Sequence, residues 1–404
     1  MIVVDYDQIC KMLTLRYNPN KQPSMDPLKF EDFEPREFSN LEEKILHIIE
    51  QNLLQKQEQL KFDTVSLSLS GGIDSGLTLV MLRRILPNVK INCISFGFGH
   101  KSDEVERARE LARIYNCNFH EIIKDDVLSD LPKLIHIVKE PRWNLYHFYL
   151  LEEGKKFSKI FYTGDGGDEL FAGYTFRYEK YLANFKENFG WRERAKLYLS
   201  CHERDWVPDQ EEMFGEKIDF SWDEIYEHFR TYFDNDLSPL HQVFLADFNG
   251  KLLYDWLHSN GCFKEYLDLE IESMFLSQEM INFAIHIPWE KKYDPETKRG
   301  KILLSSILEK NNGFAKKIPL KQGFGTDLQY FWKKNSDVVN NYVNSNSEVV
   351  KNGIISKNWI EKIQRLDTKL DSDPRYISKM LGLLALEIWY RLFISKNLSK
   401  NERL

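Results

Sequence analysis

Ser70-Gly71-Gly72-Ile73-Asp74-Ser75 is the string in this chain best built to hold an anion. Glycines let backbone N–H groups approach closely, and a helix beginning there points its positive end at the same spot, so the string suits phosphate oxygens. No Gly-Lys-Ser/Thr follows, which excludes the loop whose lysine serves the β and γ phosphates and points to pyrophosphate instead. A second string, Thr163-Gly164-Asp165-Gly166-Gly167-Asp168-Glu169-Leu170-Phe171, sets three carboxylates close together among glycines. Such carboxylates repel one another unless a cation holds them, and hard oxygen ligands favour magnesium. Asp74 and Asp168 are the expected metal ligands, whereas Asp165 and Glu169 are equally at home in a solvated turn at a helix start. A third string, Pro319-Leu320-Lys321-Gln322-Gly323-Phe324-Gly325, carries one lysine in a glycine-rich turn, which alone reads as an exposed side chain. The histidines show no HxxxH pair or recurrent ligand spacing, so zinc is not expected.

The elements around these strings explain how they could meet. Thr64 to Leu69 reads as a short strand leading through the first glycines into a helix that stops at Pro87. Strands follow at Val89 to Phe96, Asn118 to Ile122 and Lys159 to Thr163, separated by helices at Asp103 to Tyr115 and from about Asp125 to Val138. Alternation at this spacing predicts a parallel sheet with crossover helices. Asp74 and Asp168 then sit beyond the C-terminal ends of parallel strands, the edge where ligands bind in open α/β sheets. Upstream, Leu41, Ile45, Ile48, Ile49 and Leu53 mark one helical face, and residues 17–40, with four prolines, read as an extended connector preceded by little structure of its own. Beyond about Gly173 the alternation gives way to a mainly helical region. Leu381 to Ile394, though apolar, includes Glu387 and Arg391 and is too short for a bilayer, so it reads as a buried helix. The expected division is an N-terminal extension over 1–40, an α/β core carrying the phosphate-binding loop over 41–185 and a mainly helical part over 186–404 that contributes residues 319–325.

With 404 residues, 42% hydrophobic and 14% aromatic, the chain has material for a large core and is not a disordered or low-complexity protein. A formal net charge of −7 argues against a dedicated nucleic-acid or anionic-membrane binder. Five scattered cysteines without a CxxC pair argue against a disulfide framework and for a reducing compartment, the cytoplasm. The start, with Asp5 and Asp7, does not resemble an export signal.

Taken together the strings resemble the synthetase domain of the asparagine synthetase family, within the PP-loop ATP pyrophosphatase superfamily. The resemblance runs from about Thr64 to Tyr181, including Ser95-Phe96-Gly97-Phe98, Asp103-Glu104 and His120-Glu121, and returns at Lys298 to Gly325. It implies an α/β PP-loop core with a helical C-terminal elaboration and an activity in which ATP adenylylates a carboxylate, magnesium pyrophosphate leaves, and ammonia displaces AMP to give an amide. It further implies that Ser70, Gly71, Gly72 and Ser75 hold pyrophosphate, with Gly164 beside them, and that Asp74 and Asp168 hold magnesium. Ser95 and Phe96 would lie by the adenosine. Lys321 would stand over the α-phosphate, and Asp165 would accept a proton from the attacking nitrogen.

Three departures from the family pattern bear on the substrate. Position 2 is Ile2 rather than the nucleophilic cysteine of glutamine-hydrolysing members, and the stretch before Thr64 is too short for a glutaminase, so free ammonia, an amine, or a separate glutaminase partner is the expected nitrogen source. Leu269 to Ser277 looks like the family's LEARVPFLD element with Glu272, Met274 and Ser277 at its Arg, Pro and Asp positions. Glu140-Pro141-Arg142-Trp143-Asn144 keeps the acidic-Pro pair but not what usually follows. These regions lie near the acceptor in relatives. The acceptor is therefore expected to be aspartate or another small carboxylic acid. An amide-forming cyclase and a nucleotide-binding relative without turnover stay open beside the ligase, while tRNA thiolation is disfavoured by the lack of paired cysteines.

Overall fold

The computed structural model describes residues 4–99, 103–312, 328–365 and 373–404; Lys321 and the rest of its loop lie outside them. Two helices precede the sheet, α1 (Tyr6–Leu15) and α2 (Leu41–Leu60). The first overturns the expectation of little structure before the connector. Asp5 caps it by accepting from the Gln8 backbone N–H at 3.0 Å, and Ile9, Met12, Leu13 and Leu15 are all buried. A buried lysine on the last long helix, Lys379, donates to the Leu13 carbonyl, which ties the start of the chain to its end.

The α/β layer runs β1 (Thr64–Ser68), α3 (Ile73–Ile85), β2 (Lys90–Gly97), α4 (Asp103–Ile114), β3 (Asn118–Ile123), α5 (Leu131–Val138), α6 (His147–Lys155), β4 (Ile160–Thr163) and the single turn α7 (Gly167–Leu170). Five parallel strands stand in the order β3-β2-β1-β4-β5, with β5 (Glu270–Ser273) paired to β4 from Ile160↔Glu270 to Thr163↔Ser273. The central strands are apolar on both faces, with Val65, Leu67, Ile91, Cys93, Phe161 and Tyr162 buried, as a sheet covered by helices requires. From β1 the chain winds outward through β2 and β3, then crosses to β4 on the other side of β1. That reversal makes the C-terminal ends of β1 and β4 the switch point where such sheets open a crevice. The helix expected from about Asp125 begins only at Leu131, because Pro132 fits the first turn, where no backbone N–H is needed.

The rest of the described chain is mainly helical and shares one hydrophobic core with the sheet layer. Phe248–Trp256 forms a nine-residue π-helix that continues into Leu257–Leu267. Pro374–Phe393 is the buried helix read from sequence; its Glu387 is fully enclosed and accepts from the Glu348 and Val349 backbone N–H groups at 2.9 and 3.0 Å. Among the described residues no helix is long and apolar enough to cross a membrane. All five cysteines are free thiols.

Candidate active site

The glycine loop expected to hold phosphate follows β1 directly. Gly71 takes a left-handed φ of 71°, and Gly72, in extended backbone, caps α3. The Ser70 and Ser75 hydroxyls lie 3.1 Å apart, and Ser75 Oγ also receives the Ser70 backbone N–H at 3.2 Å. The loop is thus closed on itself at the positive end of a thirteen-residue helix, a ready anion cradle.

Asp74, in the first turn of α3, and Asp168, in α7, are both bound to the ammonium of Lys301. Lys301 is only 4% exposed and immediately precedes the helix Ile302–Asn312. Glycines make this convergence physically achievable. A Cβ on Gly167 would stand 2.6 Å from Asp74 Cγ, and one on Gly173 would overlap both Asp168 and Lys301. Two carboxylates gathered at one cation position match what magnesium takes from a protein when phosphate oxygens and water supply its other ligands. Among the described residues no third His, Cys, Asp or Glu joins them in a metal-holding group. Sequence reading missed Lys301, because one lysine in the run Lys298-Arg299-Gly300-Lys301 has no feature that marks it out.

A cavity of about 280 Å³ opens from Ser70, Asp74, Ser75 and Gly164 towards α6 and the π-helix. Asp165 sits on its wall, where Oδ2 receives the Thr163 hydroxyl at 2.8 Å and the Asn260 amide at 3.0 Å. Its backbone carbonyl accepts from the Ser273 hydroxyl at 2.6 Å, which fixes the turn to β5. Desolvation pushes the Asp165 carboxyl up to about 6, against the hydrogen bonds that favour its charge. Glu169 is more deeply enclosed; burial, then the neighbouring Asp168, push it up to about 8, and Tyr174 donates to it at 2.6 Å.

Ser95 and Phe96 end β2 next to this crevice but do not line the cavity. Ser95 is buried, and the Phe96 ring stacks on Tyr146 and Tyr149 with centroids 5.9 and 6.1 Å apart. The departures from the family pattern have structural uses of their own. Glu272 is bound by Lys56 at 2.7 Å, Met274 is core, and Ser277 caps the helix Gln278–Ala284. Arg142 is buried behind the cavity, where it binds Glu140 at 2.6 Å, Asp255, and the Tyr254 carbonyl at 2.6 Å. These contacts brace the π-helix that carries Asp255 and Trp256 to the cavity wall.

The family model named Asparagine synthase matches residues 56–391. Glutamine-hydrolysing asparagine synthetase 1 of Bacillus subtilis (strain 168) is 25% identical over 373 residues, which cover 83% of this chain and 57% of the relative. A protein named as the second putative glutamine-hydrolysing asparagine synthetase of Methanocaldococcus jannaschii is 26% identical over 151 residues, 34% of this chain and 29% of the relative. The chain thus spans little more than half the length of the first of these relatives and less of the second. Among solved structures, NMN synthetase from Francisella tularensis aligns over 62% of this chain and 94% of its own, at 14% identity and a TM-score of 0.24, a likeness too shallow to argue from.

Proposed function

This chain belongs to the asparagine synthase family, and from that premise we propose that it is an ATP-dependent, AMP-forming amide ligase. The observation that carries the proposal is the gathering of Asp74 and Asp168 at one cation position beside the loop of Ser70 and Ser75. In this reading Ser70, Gly71, Gly72 and Ser75, with Gly164 beside them, hold the pyrophosphate end of ATP, and Ser95 and Phe96 flank the adenosine. Asp74 and Asp168 would hold magnesium, which when bound neutralises phosphate charge. Lys301 gives up its two carboxylates and turns its ammonium to the phosphates, so the cluster keeps its charge balance as the nucleotide enters.

The substrate carboxylate oxygen bonds to the α-phosphorus as the bond to pyrophosphate breaks, and Lys321 meets the charge that develops there. Ammonia or an amine then adds to the activated carbonyl carbon, AMP leaves, and the surplus proton of the nitrogen passes to Asp165. That carboxyl suits the task because its raised affinity for protons places it closer to neutral pH than an ordinary aspartate. The intact Asp74–Lys301–Asp168 cluster favours a working enzyme over a relative that has lost turnover. Incubation with MgATP, a carboxylic acid and ammonium should yield AMP and pyrophosphate together. ADP and orthophosphate as primary products would refute the proposal.

A further inference from the structure

One wall of the cavity comes from a single π-helix, which contributes Lys251, Leu252, Asp255 and Trp256. Its wide i→i+5 turns bring Lys251 and Trp256 to the same side, and such segments are frequent at functional sites. Ser95 and Phe96, expected beside the adenosine, end β2 and do not line this space, which runs from the glycine loop towards β4 and the π-helix. That leaves it open to the acceptor acid.

Lys251 is the only lysine or arginine among the described residues of the lining, and its side chain is 22% exposed. Its ammonium is bound to Asp205, which is buried behind the wall, and makes no other hydrogen bond to a described residue. An ammonium has three donors, so two remain for a ligand. Asp205 is shared as well. Arg16 stands 3.5 Å from its carboxylate, and the buried Lys379 donates to its backbone carbonyl at 2.8 Å. Burial pushes the Lys251 ammonium down to about 8, against the pull of Asp205, so it stays charged at neutral pH. Burial takes Lys379 down to about 7, yet even with that amine neutral Lys251 and Arg16 share one carboxylate, and a positive charge is left over. The acids nearby do not absorb it: Asp74 and Asp168 are bound by Lys301, and Asp255 by Arg142. An uncompensated cation in a largely enclosed place is costly unless an anion answers it.

We propose that Lys251 is a specificity-determining residue that binds the non-reacting acid group of the acceptor, so that the substrate is a dicarboxylic acid with one carboxylate at the α-phosphate and the other on this ammonium. The proposal rests on the carboxylate-activating reading of the site. A carboxylate accepts from an ammonium about twice as strongly as a neutral carboxamide does, which gives the subsite its selectivity. Between the two ends, Tyr146, Leu150 and Trp256 offer apolar surface to the chain that joins the carboxylates.

The test is acid-dependent exchange of labelled pyrophosphate into ATP by the full chain, with malonate, succinate and glutarate each set against its half-amide. MgATP binding is followed separately by calorimetry. At least one diacid should exchange about 100-fold or more faster than its half-amide, since a site built to pair a group discriminates strongly against its absence. Lys251→Met keeps the length and removes the charge; it should bring that pair within about tenfold, chiefly through a raised KM for the diacid, with MgATP affinity unchanged. Lys251→Arg should restore most of the preference. Asp205 keeps Arg16 as a partner in both variants. Equal exchange for every diacid and its half-amide in the wild type, or an undiminished preference in Lys251→Met, would each overturn the assignment. So would exchange with none of the acids while MgATP still binds. Failure to bind MgATP at all would overturn the underlying reading of the site instead. The wild-type comparison decides the matter even if a variant does not fold.

Discussion

Asp74 and Asp168 come from opposite sides of the strand-order reversal, one from the first turn of the helix after β1 and the other from the turn after β4, yet a single buried ammonium binds both. Replacing either with Asn should remove turnover, by about 1,000-fold or more, because charge neutralisation by a bound divalent cation contributes several kcal/mol to such reactions. AMP release with saturating MgATP is the measurement, and chelation of magnesium should reproduce the loss in the wild type. A near wild-type rate in either variant removes the metal assignment.

Lys301→Met should be damaging before any nucleotide is added. It leaves two carboxylates crowded together in a largely enclosed site, and removing one partner from a buried ion pair costs about 3–5 kcal/mol. Thermal unfolding should show a lowered Tm that magnesium chloride partly restores, because a divalent cation can take the vacated position. A Tm equal to wild type, or one indifferent to magnesium, would show that the cluster is not the cation site described.

Asp165 sets a pH dependence. Its carboxyl is pushed up to about 6, so activity that needs it as a proton acceptor should rise with pH through that value, and Asp165→Asn should be slow at every pH. The effect on stability has the opposite sense. A folded-state proton affinity above the unfolded one contributes stability that is complete in acid, below the ordinary carboxylate range, and is lost as pH rises through about 6. Asp165→Asn should therefore be more stable than wild type by up to about 3 kcal/mol at pH 8 and show little gain at pH 4, read by denaturant midpoints.

Lys321→Ala should leave MgATP binding largely intact while turnover falls by about 100-fold or more, the usual consequence of losing one positioned donor at developing charge. Comparing calorimetric affinity with single-turnover AMP formation separates the two effects. Equal losses in both would make Lys321 a ground-state phosphate contact.

Glutamine alone should not supply nitrogen to this chain, whereas ammonium should. The first cysteine, Cys10, is packed inside α1, and burial pushes its thiol up to about 11, so it does not provide a thiolate for attack on glutamine. With ammonium the rate at fixed total concentration should climb with pH as free ammonia increases. Stoichiometric glutamate formation by the purified chain would reverse this expectation.

The glycine loop after β1 and the first four strands could be read from sequence because their signals are local: glycines after a β-rich run, then a helix, at regular spacing. The buried helix around Glu387 was legible for the same reason. Lys301 and β5 were not. Lys301 gains its meaning only from carboxylates delivered by two distant turns, and Glu-Ile-Glu-Ser is too short and too polar to announce a strand without β4 beside it.

The late return of β5 to the sheet has a consequence for biogenesis. On a ribosome, β4 emerges long before the residues that will pair with its outer side, and until the intervening helices are made it presents an unpaired apolar edge, the sort that recruits other chains. A fragment ending before Glu270 would keep the phosphate loop in its sequence but should aggregate rather than accumulate as a working nucleotide binder, and chaperone demand during synthesis should fall only once Glu270–Ser273 has docked.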